Sequence, residues 1–121
     1  MAERTILIVD DDPITREGLR SILEKEGYPV AVADDGSAAL SYLNGHPSPS
    51  LILLDMMMPT VDGWQFLATL QQNPTWTEIP VIISTAMGVA SSEWAESLGA
   101  VGLLKKPFDA TELLEPVRQF C

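Results

Sequence analysis

Three consecutive carboxylates, Asp10-Asp11-Asp12, follow directly on the apolar run Ile6-Leu7-Ile8-Val9, and Asp55 follows in the same way on Leu51-Ile52-Leu53-Leu54. Acids crowded together repel, and a bound cation is the usual relief. Hard oxygen donors suit magnesium, which keeps several waters and takes one or two carboxylates plus phosphate oxygens. Two more apolar runs end in polar groups, Ser84-Thr85 and Lys105-Lys106. A hydroxyl donor and an ammonium countercharge turn a metal site into a phosphate site. The remaining carboxylate is then placed to act as nucleophile and form an acyl phosphate, a transfer that needs in-line positioning, charge neutralisation and little else. Asp55 is the candidate acceptor.

Such groups meet only if the chain brings the ends of its apolar runs together. Short continuous apolar runs bounded by turn residues read as strands buried on both faces, here at roughly 5–9, 29–33, 51–54, 79–84 and 101–104. Amphipathic segments at roughly 13–26, 36–44, 63–73, 88–98 and 110–120 read as helices. The alternation predicts five βα units: a parallel sheet covered on both faces, joined by right-handed crossovers, with its ligand edge at the carboxyl ends of the strands. Local signals agree. Asp12 before Pro13 is an N-cap with proline at the first helical position, Asp62 with Gln65 and Asp109 with Glu112 have capping-box spacing, and Gly27 and Gly99 end helices. Pro116 conflicts with the pattern, since an interior proline removes a hydrogen bond and clashes with the preceding turn. A kink or restart of the last helix is expected there.

At 121 residues, 46% of them apolar, the chain is large enough for one domain with a real core and no staples. Seventeen acids against seven bases give a net charge of -10, which disfavours direct contact with nucleic acid or an anionic membrane. No apolar run approaches a membrane span and no signal-type segment opens the chain, so a cytoplasmic location is the default. Cys121 has no partner for an intramolecular disulfide. Met56-Met57-Met58 reads as adaptable packing, Trp64, Trp76 and Trp94 as packing or partner surface, and His46 as an exposed loop residue.

The segments Ile-Val-Asp10-Asp11-Asp12-Pro, Leu-Asp55-Met-Met-Met-Pro59-Thr-Val-Asp62-Gly63, Ser84-Thr85-Ala86 and Lys105-Lys106-Pro107-Phe108, in this order and spacing, resemble the response-regulator receiver domain of two-component systems over essentially the whole chain. The resemblance implies a flavodoxin-like (βα)5 fold, class α/β, with strand order 2-1-3-4-5. It implies a phosphorelay role in which Asp55 accepts a phosphoryl group from a sensor histidine kinase or phosphotransfer protein and contacts with a downstream protein target then switch. Asp10, Asp11 and Asp55, with the backbone carbonyl of Met57, would hold magnesium, or manganese in its place. Thr85 matches the family's switch hydroxyl and Lys106 its phosphate-binding lysine; Ser84 and Lys105 match neither. Asp12 remains a helix cap, and Asp10 an assisting acid acting directly or through water.

Two departures bear on signalling. The position three before Lys106, often aromatic in receivers, is Leu103, and Pro116 falls in the last helix, on the face many relatives use for dimers or outputs. A modified or different output face is expected, in a monomer or a weak phosphorylation-dependent dimer. The chain ends soon after the fifth helix, so residues 1–121 are expected to form a single receiver domain without an output domain. The competing readings are a degenerate receiver that only binds, and a small phosphatase of the aspartyl-phosphate kind. The latter needs an acid two residues after the nucleophile, where Met57 stands.

Overall fold

The structure, a computed structural model, describes residues 4–56, 62–88 and 90–121. Strands β1 (Ile6–Val9), β2 (Val30–Ala33), β3 (Leu51–Asp55), β4 (Val81–Thr85) and β5 (Gly102–Lys105) alternate with helices α1 (Pro13–Lys25), α2 (Gly36–Gly45), α3 (Gly63–Gln72), α4 (Ser92–Ser97) and α5 (Ala110–Phe120). All pairings are parallel, in the order β2-β1-β3-β4-β5. The order reverses between β1 and β3. There the connections leave in opposite directions, and a crevice opens beyond the carboxyl ends of the strands.

Period two along each strand sends alternate side chains to opposite faces. Leu7, Val9, Ile52, Leu54 and Ile83 pack with Phe66, Leu67 and Leu70 of α3 on one face. Ile6, Ile8, Leu51, Leu53 and Ile82 pack with Leu19 and Leu23 of α1 and Leu113 and Val117 of α5 on the other. Residues of β1, β3 and β4 are buried at every position, which is why these runs are continuously apolar. Aspartates set the helix starts: Asp12, Asp35, Asp62 and Asp109 each accept from a backbone N–H of the first turn, and Asp109 with Glu112 forms a complete capping box. Gly27 and Gly99 end α1 and α4 at φ 91° and 89°, a region open to glycine at no steric cost. Among the described residues no helix is long and apolar enough to cross a membrane.

Two expectations are corrected. The fourth helix, read as 88–98, runs only from Ser92 to Ser97, because the Ser91 hydroxyl accepts from the N–H of Trp94 at 3.1 Å and fixes the start there. The break at Pro116 does not occur: α5 continues unbroken from Ala110 to Phe120. Proline removes one N–H, while burial of Leu113, Leu114 and Val117 on the same helix outweighs that local loss. The cost is still carried by the folded state. Pro116→Ala is expected to stabilise the chain by about 2 kcal/mol, the interior-proline penalty of about 3 kcal/mol less the roughly 0.4–1 kcal/mol of entropy that proline removes from the unfolded chain. A raised urea midpoint checks this; a lowered one contradicts it.

Candidate functional site

The period-two alternation that builds the core also selects the site. Asp10, one step beyond Val9, and Asp55, the last residue of β3, continue the parity of Ile8 and Leu53, and Lys106 continues that of Leu104. All three therefore emerge on the α1 and α5 side of the sheet edge. Asp10 and Asp55 are buried at 2% and 6% exposure, and Asp11 is exposed. One oxygen from each of Asp10, Asp11 and Asp55 falls within a sphere where all lie within 4.8 Å of one another.

Lys106 Nζ donates to Asp10 Oδ2 at 2.8 Å and stands 3.9 Å from Asp55 Oδ2. It spans 96 residues of sequence to do so. The other Asp10 oxygen, Oδ1, accepts from the N–H of Asp12 at 2.9 Å. Buried carboxylates are tolerated when paired and bonded in this way. Asp12 stands apart as a cap: it accepts from the N–H of Ile14 and from the Thr15 hydroxyl at 2.6 Å. That hydroxyl bond is the main reason its carboxyl titrates below the usual carboxylate range.

The start of α3 packs directly against Met56, the residue after β3. Gly63 N–H donates to the carbonyl of Met56 at 3.2 Å, and a Cβ on Gly63 would lie 2.6 Å from Met56 Cα. Only glycine admits this approach, which pins the end of β3 where Asp55 leaves it. Met57, expected to offer its carbonyl, lies outside the described residues together with 58–61.

Thr85 is the last residue of β4, on the opposite parity to Asp55, and its Oγ1 accepts from the N–H of Met87 at 3.1 Å. Ser84, aligned with Asp55 in the sheet, is buried with no hydrogen-bond partner for its hydroxyl among the described residues. Lys105 is exposed and reaches the carbonyl of Gly88 at 3.1 Å rather than the acids. The structure thus gathers Asp10, Asp11, Asp55 and Lys106 and leaves Lys105 aside. Leu103 is half-buried against the α3 and α4 side of the core. Trp76 is buried, whereas Trp64 and Trp94 meet edge to face at 6.2 Å between α3 and α4. His46 is exposed and stacks on Tyr42.

Arg16 was not singled out by residue type, yet its Nη1 donates to the carbonyl of Asp10 at 2.9 Å. One signal was available. A cation near the start of a helix opposes the helix dipole and calls for a nearby partner.

The donor set fits a hard divalent ion: three carboxylates converge, offset only in part by one ammonium, with no thiolate or imidazole among them. An apolar cleft of about 420 Å³ opens beside Lys106, between α1 and the β5–α5 connection, lined by Thr15, Leu19, Ile22 and Phe108 among others.

Residues 6–118 match the family model of the response regulator receiver domain. The chain is similar to the response regulator Rre1 of Synechocystis sp., 38% identical over 116 residues, covering 94% of this chain and 50% of that protein. It spans about half the length of this and several other curated relatives. Among solved structures it is similar to the chemotaxis protein CheY4 of Vibrio cholerae, with TM-score 0.88, 28% identity, and 99% of this chain and 100% of that chain covered. It is also similar to the response regulator TrrA of Thermotoga maritima, solved in complex with Mg(2+)-BeF, with TM-score 0.85, 29% identity, and 98% and 99% covered.

Proposed function

The chain belongs to the response-regulator receiver family of two-component systems, and on that premise we propose that Asp55 is its phosphoryl acceptor. The observation that carries the reading is the reach of Lys106 across the sheet edge, 2.8 Å to Asp10 and 3.9 Å to Asp55. An ammonium so placed is a fixed countercharge for the oxygens of an incoming phosphoryl group.

In the transfer an oxygen of the Asp55 carboxylate forms a bond to phosphorus as the phosphorus–nitrogen bond of a donor phosphohistidine breaks. The electron pair of that bond stays on the imidazole. Asp10 and Asp11, with Asp55 and the Met57 carbonyl, would hold magnesium, or manganese in its place, which supplies neutralisation of phosphoryl charge when bound. Lys106 contributes the protein's own positive charge. The Thr85 hydroxyl, now an acceptor for Met87 N–H, donates to a phosphoryl oxygen and in turning releases that bond. The β4–α4 connection then shifts, so that a local charge event becomes a change of surface. Leu103 fills space in this change without the polar tip an aromatic switch residue can carry.

A donor must cover the carboxyl edge to reach the buried Asp55. The rim offers Ile14, 83% exposed, and the cleft beside Lys106. A histidine kinase or phosphotransfer protein meeting this rim, and a downstream target protein reading the shifted surface, suit the acidic balance of the chain better than nucleic acid does. A cytoplasmic location fits the same partners.

Incubation with acetyl phosphate and magnesium, followed by intact mass, tests the proposal. One lasting phosphoryl addition is expected. No addition leaves a binding module, and rapid turnover of phosphate esters without accumulation indicates an enzyme.

A further inference from the structure

Arg16 has no part in the transfer described above, yet it grips the turn that carries two of the acids. Its Nη1 donates to the carbonyl of Asp10 at 2.9 Å, and its own N–H donates to the carbonyl of Asp12 at 2.9 Å. The side chain is half-buried. The carbonyl of Asp10 and the N–H of Asp11 belong to one planar peptide group. Fixing that oxygen fixes the plane, and with it the direction in which the Asp11 side chain leaves the backbone.

Asp11 depends on this more than its neighbour does. The Asp10 carboxylate is held by Lys106 and by the N–H of Asp12, whereas no hydrogen bond among the described residues holds the exposed Asp11 carboxylate. Among those residues it is the backbone that sets its aim. We infer that Arg16 is a positioning residue of the cation site, holding the Asp10–Asp11 peptide so that Asp11 faces the ion shared with Asp10 and Asp55. The inference rests on the proposed magnesium reading of that cluster.

Charge and positioning predict opposite signs, which makes the role testable. As a mere charge, a guanidinium beside a cation site repels the ion, and its removal tightens binding. As a support, its removal loosens binding, by about tenfold for groups that orient metal ligands.

The test is magnesium affinity by calorimetry on the 121-residue chain, with the metal-free melting midpoint of each variant. Arg16→Met is expected to bind magnesium about tenfold more weakly at a metal-free midpoint within a few degrees of the unchanged chain. Arg16→Lys, which keeps a donor on a shorter stem, is expected to recover part of the loss. Equal or tighter binding by Arg16→Met, or a loss shared in full by Arg16→Lys, overturns the inference. An unchanged chain that binds no magnesium overturns the magnesium reading itself and the inference with it.

Discussion

Asp55→Asn is expected to take up no phosphoryl group from acetyl phosphate and magnesium under conditions in which the unchanged chain gains one. The amide is neutral and presents a nitrogen donor where the chemistry needs an anionic oxygen. No other residue inherits the role. Asp10 has both oxygens engaged, by Lys106 and the N–H of Asp12, and Asp11 is exposed at the outer side of the cluster. The fold persists, because asparagine is nearly isosteric and one fewer anion relieves repulsion among three carboxylates within 4.8 Å. A melting midpoint no lower than that of the unchanged chain, together with an unchanged mass after treatment, is the expected pair of results. Uptake at the original rate contradicts it.

Lys106→Met produces a different pattern. Losing a preorganised charged donor at the phosphoryl oxygens slows uptake about 100-fold or more. The metal-free chain is also destabilised, by about 2 kcal/mol, since the buried Asp10 loses its ion pair and keeps the Asp12 N–H. Methionine retains the apolar stem, so packing beside Phe108 is little disturbed. Magnesium binding moves the other way: in the native chain the ammonium occupies Asp10 Oδ2, and its removal frees that oxygen and deletes a repelling charge. Magnesium therefore raises the melting midpoint of Lys106→Met more than that of the unchanged chain. Calorimetry and a melting series with and without magnesium, run beside the phosphorylation time course, check all three effects. A variant with weakened magnesium affinity contradicts the placement of Lys106 as competitor for the acids.

The sheet was legible because its strands are buried on both faces and so are continuously apolar; Ile6–Val9 and Leu51–Leu54 could hardly be read otherwise. Asp12 and Asp109 announced their helices by residue type and spacing, and the structure gives each its backbone partner. Strand order came from the resemblance, since period-two patterning fixes faces and says nothing about neighbours. The pairing of Lys106 with Asp10 depends on that order, which brings residues 96 apart to one edge. Alternation then explains why Lys106, and not Lys105, turns toward the acids. Three features could not be read from local pattern. The short α4 reflects the Ser91 cap over weaker helix signals upstream. The unbroken α5 reflects tertiary burial overriding the local penalty of Pro116. Arg16 acts through its reach to a backbone carbonyl, a contact to which residue type gives only the weak clue of a cation near a helix start.

The identity of the acceptor is tested most directly by trapping. Borohydride reduces an acyl phosphate to an alcohol, so an aspartyl phosphate becomes homoserine at the modified position. The chain treated with acetyl phosphate and magnesium, reduced, digested and sequenced by tandem mass spectrometry, is expected to carry homoserine at position 55 and at no other acid. Homoserine at position 10 or 11, or aspartate intact at 55 in a chain that has gained a phosphoryl group, would contradict the assignment of Asp55 as acceptor.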